Sequence, residues 1–179
     1  MGGFLDKLLG SMAKLKVLAK RFDILDANDE SCQFRINIDV LNEAFGVGRS
    51  MYARAVYPDK KGVYFTDNNP KEKLYIWMPK LYGNSSEWKN SISEDGNKIK
   101  ETAEPNRHTD WISNVDEEYI NALRITFVKA DPNSPYKFVG IFENDKLEHC
   151  NHTYKCVATK IKLIGNPVTE IELLDDNRK

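Results

Sequence analysis

The most metal-like segment of the chain is EHCNH, residues 148–152, with Cys156 four residues further on. A zinc site needs four ligands that converge tetrahedrally, and in sequence these ligands normally come as two closely spaced pairs. Here His149 and His152 are close together, but Cys150 and Cys156 are six residues apart and no second pair occurs elsewhere. We therefore predict no metal site, and we expect a loop followed by a buried Cys156.

Catalysis by a nucleophilic side chain would need a serine or cysteine beside a histidine that a carboxylate orients. The chain has 3 histidines, contains no GxSxG sequence, and carries no family signature around a cysteine. His108 and Asp110 could form a histidine–acid pair, although neighbouring polar residues of a loop are usually plain surface. We predict no catalytic residue and no cofactor; a hydrolase or nuclease that uses His108 is the third of three functional alternatives.

Residues 49–88 combine aromatic side chains with basic ones, a composition typical of surfaces that stack nucleobases and neutralise phosphates. The aromatic residues include Trp77 and Trp88, and the basic ones include Arg54 and Lys60. The same density of aromatic residues is also typical of a β-sheet core, which is the commoner explanation. Base stacking and core packing therefore both stay open for this region.

Charge is segregated along the chain although the net charge is only −1. Residues 1–21 and 49–80 are net basic, whereas residues 23–48 are net acidic. A nearly neutral total is therefore compatible with a basic face that attracts an anionic partner.

The composition is that of a globular protein in a reducing compartment. Of the 179 residues, 41% are hydrophobic and 30% are charged, and 3 cysteines are too few for a disulfide framework. No apolar run approaches the ~20 residues that a membrane span needs. Residues 1–20 interleave lysine with apolar positions, unlike a secretory signal. We predict a cytoplasmic protein with no membrane span, folded as a single domain over residues 1–179.

Residues 2–22 have apolar side chains at alternating spacings of three and four, which predicts an amphipathic helix. Such a helix packs on the sheet of its own domain, binds a partner protein or a second copy, or lies on a membrane surface. Partner binding or self-association would use the apolar stripe that contains Leu5, Leu8, Met12 and Leu15. The three alternatives stay open.

Two strands joined by a proline-marked turn are the predicted centre of the fold. Residues 123–127 alternate apolar and polar side chains, as a half-buried strand does. In the second strand, Tyr136, Phe138, Gly140 and Phe142 share one predicted face. Glycine in the middle of a strand indicates a bulge, a barrel corner or a close approach of another group to the backbone.

Further elements are predicted from apolar alternation and from turn residues. Asp95-Gly96 is a tight-turn signal between Ile92 and Ile99. The last residues of the chain are expected to be a loose tail. The other predicted elements are strands over residues 33–40, 153–163 and 168–174, a hairpin over residues 62–78, and a loop over residues 145–151.

The segments ALRITFVKA, YKFVGIFEN and TYKCVATKI, within residues 120–165, resemble the closing strands of PUA-like modules. These modules include SRA-type and EVE-type readers that occur beside prokaryotic restriction nucleases. The shared pattern is an aromatic strand of the type Y-x-F-x-G-x-F/Y, here Tyr136 to Phe142, and a later strand that opens with Tyr154-Lys155. The resemblance implies a small, strongly curved β-barrel with flanking helices, in which a flipped or unpaired base enters an aromatic-lined pocket with Tyr136 in its wall. It does not extend to a recognisable nuclease domain.

Together these observations predict an α+β domain, with the N-terminal helix and a β-rich core over residues 33–174 that forms a curved, mostly antiparallel sheet or small barrel. The leading function is a non-catalytic module that binds DNA or RNA and reads a modified or flipped base, in a prokaryotic restriction or phage-defence setting. The alternative is a protein-interaction module, an inhibitor or adaptor, that docks through the N-terminal helix or an aromatic patch. For the leading function, the candidate pocket walls are Trp77, Trp88, Trp111 and Tyr136, and the candidate phosphate contacts are Arg49, Arg54, Lys60 and Lys61.

Overall fold

The computed structural model describes the chain at residues 20–49, 56–57, 64–66, 69–83, 88–103, 121–148 and 150–178. Within these residues the fold is mostly β-sheet, with one short helical segment. This segment begins as an α-helical turn, α1 (Asn37–Asp39), and continues as a π-helical turn (Val40–Ala44). The strands, in chain order, are β1 (Ile24–Asp26), β2 (Gln33–Phe34), β3 (Val56–Tyr57), β4 (Tyr64–Thr66), β5 (Asn69–Trp77), β6 (Trp88–Ile92), β7 (Lys98–Ala103), β8 (Leu123–Lys129), β9 (Tyr136–Glu148), β10 (Asn151–Ala158), β11 (Lys160–Gly165) and β12 (Val168–Leu173).

The described strands form one continuous sheet in the order β1-β11-β12-β4-β5-β8-β9-β10-β7-β6, with β2 added to β9 and β3 to β5. Most neighbours are antiparallel, as predicted, and the pairs β4–β12 and β5–β8 are parallel. Over the described part of the chain, the outermost strands β1 and β6 are not paired with each other, so the sheet is curved but open. The sheet prediction is therefore confirmed, and the barrel alternative is not.

The main core lies on one face of this sheet. Alternate side chains of β5 and β8 point into it, together with side chains of β9, β11, β12 and the helical segment. Phe127 is fully buried at its centre, and its ring centroid lies 5.5 Å from those of Phe34 and Phe138 and 6.1 Å from that of Phe45. The core therefore joins β2 and the helical segment to the middle of the sheet.

A bulge at Gly140 changes the face to which the second half of β9 contributes. The register with β8 shifts between Thr126 and Phe127, and Val139 is the extra residue opposite. Gly140 has a φ of +129°, and a Cβ atom there would lie 2.6 Å from the backbone carbonyl oxygen of Ala158. The prediction that this glycine marks a bulge and a close backbone approach is confirmed.

The single shared face predicted for this strand is wrong because of that bulge. Tyr136 and Phe138 belong to the main core, whereas Phe142 belongs to a second hydrophobic cluster that also contains Trp77 and Tyr154. Since side chains alternate with a period of two, one extra residue moves every side chain beyond it to the other face.

The strand predicted over residues 33–40 is wrong beyond Phe34, where β2 ends. The helical segment begins at Asn37, and its buried side chains between Val40 and Phe45 follow helical spacing. The burial of this helical face against the sheet therefore outweighs the local strand pattern, because strand propensity depends strongly on context.

The tight turn predicted at Asp95-Gly96 is confirmed between β6 and β7. Ile92 and Ile99 on either side of it are paired in register, and Gly96 has a φ of +71°. That conformation suits glycine, which has no Cβ atom to clash.

The Asp95 carboxyl should titrate with a pKa of about 2, below its usual 3.8, because the Ser93 hydroxyl and the Asn97 backbone N–H donate to its ionised form at 2.5 and 3.0 Å. Since the folded-state pKa is the lower one, this stabilisation of the turn is present above pH 3.8 and is lost as the pH falls towards 2. An NMR titration of the side chain measures the pKa, and an Asp95→Asn variant should lack this pH dependence. A midpoint near pH 4 would contradict the expectation.

Two elements near the C-terminus differ from their predicted bounds. β9 continues to Glu148, so most of the loop predicted over residues 145–151 is strand. The strand predicted over residues 153–163 is two strands, β10 and β11, that separate at Thr159. The strand predicted over residues 168–174 is confirmed as β12.

The C-terminal tail is not loose, contrary to the prediction. The Asp175 carboxylate accepts hydrogen bonds from the Thr159 backbone N–H at 3.0 Å and from its hydroxyl at 2.5 Å. Arg178 Nη1 lies 2.6 Å from Glu72 Oε1 on β5. These contacts hold the tail against the sheet.

Residues 2–19 of the predicted N-terminal helix, with the apolar stripe of Leu5, Leu8, Met12 and Leu15, lie outside the described residues, and residues 20–22, which are described, are not helical. Phe22, the last residue of that predicted helix, packs against the main core. Within the described residues, no helix has the length and apolar character needed to cross a membrane.

Candidate nucleic-acid interface

The side of the sheet opposite the main core, here called the second face, carries a smaller cluster of buried side chains. Trp77 on β5 and Tyr154 on β10 are separated by β8 and β9, so a flat sheet would hold their backbones ~14 Å apart. Their ring centroids are only 4.9 Å apart. The Asn90 side-chain amide on β6 also reaches the Lys80 carbonyl beyond β5, at 3.3 Å. The second face is therefore concave.

Polar groups gather inside this concave face around Glu101 on β7. The Tyr154 hydroxyl donates to Glu101 Oε1 at 3.2 Å, and His152 Nδ1 lies 3.6 Å from the same oxygen. Strand pairing sets this arrangement, because β10 and β7 are antiparallel and His152 lies directly opposite Glu101. We call Glu101, Arg124, His152 and Tyr154, together with Trp77, the Glu101 cluster.

Arg124 brings a positive charge to the face of the Tyr154 ring. Its guanidinium carbon lies 4.5 Å from the ring centroid, within the range of a cation–π contact. Its Nη1 donates to the Ala122 carbonyl oxygen at 3.0 Å. Tyr154 thus lies between a guanidinium and a carboxylate, and Trp77 contacts the same ring.

The burial of these charged and polar groups is unusual for side chains of their type. Arg124 is only 4% exposed and His152 is fully buried, while the Glu101 side chain is 14% exposed. Burying a charge costs free energy unless hydrogen bonds and opposite charges compensate it. The hydrogen bonds to Glu101 and to the Ala122 carbonyl oxygen compensate part of that cost.

The chemistry of the cluster suits a nucleobase. Trp77 and Tyr154 supply flat aromatic surfaces on which a base can stack. Glu101 supplies a hydrogen-bond acceptor of the kind that reads the exocyclic amine of cytosine. Arg124 supplies donors for carbonyl or ring-nitrogen acceptors.

The structure separates the aromatic residues predicted as pocket walls. Trp77 belongs to the Glu101 cluster, but Tyr136 is 4% exposed in the main core. Trp88 begins β6 with its backbone paired to Ala103, and its side chain is not among the described groups; Trp111 lies outside the described residues. The two described rings therefore do not form one pocket.

Of the predicted phosphate contacts, only Arg49 is described. It follows the helical segment and is exposed, and the Asn42 side-chain amide holds its backbone at 2.6 and 2.8 Å. Arg54, Lys60 and Lys61 lie outside the described residues, so their role stays a prediction.

No sequence pattern indicates that Glu101, Arg124 and His152 are partners. They stand on different strands, and only the register of β7, β10 and β8 brings them together. Tyr154 opens a strand of the family pattern, but the partner of its hydroxyl is visible only in the fold.

The described ends of the metal-like segment, His152 and Cys156, lie on the same side of β10 but in different parts of the second face. His152 joins the Glu101 cluster, while Cys156 packs on the apolar part of the second face. Burial raises the pKa of the Cys156 thiol to about 11, so at neutral pH it is protonated and unreactive. His149 lies outside the described residues, and among the described ones no three metal-binding side chains converge.

Comparison with solved structures relates this fold to a restriction enzyme. The 5-hydroxymethylcytosine-specific restriction enzyme AbaSI matches with a TM-score of 0.57 and 21% sequence identity, over 88% of this chain and 50% of that enzyme. The chain thus spans about half the length of AbaSI, and the likeness concerns the fold.

A search of curated proteins gave no match. The family called "SET and RING associated domain" (SRA) matches residues 21–163, from just before β1 through most of β11. SRA domains are PUA-like DNA-binding modules that read modified bases, as the resemblance of the closing strands implied. The chain belongs to the SRA domain family.

Proposed function

We propose that this chain is a non-catalytic DNA-binding module that recognises a modified cytosine through the Glu101 cluster. The observation that carries the proposal is the Tyr154 ring, which lies between the Arg124 guanidinium and the Glu101 carboxylate and against Trp77. Family membership supports DNA as the ligand. AbaSI is specific for 5-hydroxymethylcytosine, so this base is the first to test.

The proposed recognition requires the base to leave the duplex. Extrusion costs a few kcal/mol, which stacking and contacts to the Watson–Crick edge must offset. Because the cluster side chains are buried, a base gains these contacts only if the concave face opens to admit it. The chain between Ala103 and Ala122, on which Trp111 stands, begins and ends beside Glu101 and Arg124. We therefore keep Trp111 and Trp88 as proposed pocket walls, and Arg49, Arg54, Lys60 and Lys61 as proposed phosphate contacts, in a prokaryotic restriction or phage-defence setting.

The test compares two buried tyrosines on neighbouring strands. We expect Tyr154→Phe and Glu101→Gln each to lower the preference for 5-hydroxymethylcytosine duplex over plain duplex about tenfold, because one good base contact contributes about 1–3 kcal/mol of discrimination. Tyr136→Phe should keep the preference, since Tyr136 lies in the main core. Fluorescence anisotropy at two salt concentrations measures both affinities.

Three results would count against this proposal. A wild-type protein that binds plain and modified duplexes equally, and only at low salt, has a basic surface but no base reading. A loss of the preference for modified duplex in Tyr136→Phe alone would favour Tyr136 as the pocket wall, as the resemblance to PUA-like modules implied. An equal loss in both tyrosine variants would indicate damage to the fold, not to a recognition site.

A further inference from the structure

The outward side of β6, β7, β10 and the end of β9 carries a polar, lysine-rich surface, here called the lysine face. Side chains of directly paired residues in antiparallel strands lie on the same face, so the strand register defines its rows. The rows run across the strands as Lys89–Thr102–Asn151–Glu148, as Ser91–Lys100–Thr153–Lys146, and as Lys98–Lys155–Glu143.

The lysine face has an excess of positive charge. Lys98, Lys146 and Lys155 have carboxylate partners on β9 at 3.6, 2.6 and 3.1 Å. Lys89 and Lys100 are exposed and form no ion pair within the described part of the chain. Two charged ammonium groups are therefore available to an anionic partner, and surface pairs such as the other three exchange easily because each contributes little.

Packing does not explain this composition. The same strands bury Ile99 and Tyr154, and partly bury Ile92, on their other side, in the second face. The lysine face itself consists of lysine, serine, threonine, asparagine and glutamate side chains. Lysine, serine, threonine and asparagine are among the residues that donate hydrogen bonds to phosphate oxygens in protein–DNA complexes.

We propose that the lysine face binds the phosphate backbone of duplex DNA, with Lys89 and Lys100 as its main contacts. The inference rests on the proposed DNA binding and adds a surface that differs from the basic residues predicted from the sequence. Lys89 stands on β6, the outermost described strand, and is paired with Thr102, which is next to Glu101 along β7. A duplex bound to the lysine face would lie beside this edge of the sheet. An extruded base would pass around the edge to reach the Glu101 cluster on the opposite face.

The experiment neutralises two lysines of this face and two elsewhere. Lys89→Gln/Lys100→Gln is compared with Lys160→Gln/Lys162→Gln on β11, which removes the same charge from another part of the sheet. Each variant of the full chain is titrated against duplexes with plain cytosine and with 5-hydroxymethylcytosine at a series of salt concentrations. Urea unfolding of each variant confirms that the fold is retained.

For Lys89→Gln/Lys100→Gln we expect binding roughly tenfold weaker for both duplexes, and a slope of log K against log salt that is smaller by about 2, since each lost phosphate contact removes about 0.9. The ratio between modified and plain duplex should not change, because backbone contacts carry no base information. The β11 control should keep the wild-type slope.

The failure of this inference is distinguishable from failure of the proposed function. Suppose that the wild type binds but the salt slope of Lys89→Gln/Lys100→Gln is unchanged, or that the β11 variant loses as much affinity. The proposal that the lysine face binds the backbone would then be wrong, while the proposal of base reading would stand. If the wild type binds neither duplex at any salt concentration, both proposals are overturned. A change in the modified-to-plain ratio would assign the two lysines to base reading and not to the backbone.

Discussion

Replacing Gly140 with alanine is expected to lower the free energy of unfolding by about 3 kcal/mol or more. Two effects add at this position. The φ of +129° lies in a region that residues with a Cβ atom rarely adopt. The new Cβ would also lie 2.6 Å from the Ala158 carbonyl oxygen and 3.0 Å from Cys156 Sγ. Since the first neighbour is backbone, β9 and β10 must move apart at the bulge. Chemical denaturation followed by circular dichroism measures the loss.

Gly48→Ala is the matched control for this substitution. Gly48 has a positive φ of +71°, but nothing lies within 4 Å of a Cβ atom placed there. Gly48→Ala should therefore lower the free energy of unfolding only by the conformational cost of the positive φ, about 1–2 kcal/mol. If Gly140→Ala destabilised the protein no more than Gly48→Ala does, the close approach to Ala158 would not be what requires glycine in β9.

The second large effect is expected for Phe127→Ala, which should lower the free energy of unfolding by about 3–5 kcal/mol. Phe127 is fully buried, and its ring contacts Phe34 on β2, Phe45 after the helical segment and Phe138 on β9. Removing the ring takes away buried apolar area and leaves a cavity, because three rings from separate elements cannot all close on the space. Total stabilities of domains are about 5–15 kcal/mol, so this loss is a large fraction.

Ile24→Ala, on β1, is the comparison for the core substitution. The Ile24 side chain is 44% exposed, and its truncation should change the free energy of unfolding by about 0.5 kcal/mol or less. Hydrogen exchange gives a second measurement, since loss of Phe127 should reduce amide protection in the helical segment more than in β6 and β7. A uniform reduction across the sheet would show that Phe127 does not specifically anchor that segment.

The fold places two cores on opposite sides of one sheet, and they differ in chemistry. The main core is almost entirely apolar, whereas the second face combines aromatic rings with Glu101, Arg124 and His152. Buried charges are weak contributors to stability compared with apolar packing. Recognition of a ligand therefore explains the charged residues of the second face better than a contribution to stability does.

Local sequence signals were sufficient where neighbouring residues decide the structure. The alternation in residues 123–127 predicted β8, Asp95-Gly96 predicted the β6–β7 turn, and Gly140 predicted a bulge with a close approach. The closing strands also carried enough of the family pattern to indicate a PUA-like reader. In each case the cause is short-range: side-chain period, a positive φ or a tight contact.

Long-range packing decided the rest, and the sequence could not show it. Residues 33–40 alternate like a strand, yet β2 ends at Phe34, and the helical segment that begins at Asn37 has its buried side chains further on, between Val40 and Phe45. The Gly140 bulge was foreseen, but its effect on Phe142, which moves to the second face, depends on the register with β8.

The candidate site shows most clearly which features the sequence indicates and which ones depend on long-range packing. By itself, the sequence determined that the chain is rich in aromatic and basic residues, that its strands resemble those of base readers, and that Trp77 stands among them. Only the tertiary structure brought Glu101 opposite His152 and put Tyr154 between Glu101 and Arg124. The tertiary structure also placed Tyr136 on the other side of the sheet, in the main core. Strand pairing joins residues that are distant in sequence, and a single bulge changes which of them share a face.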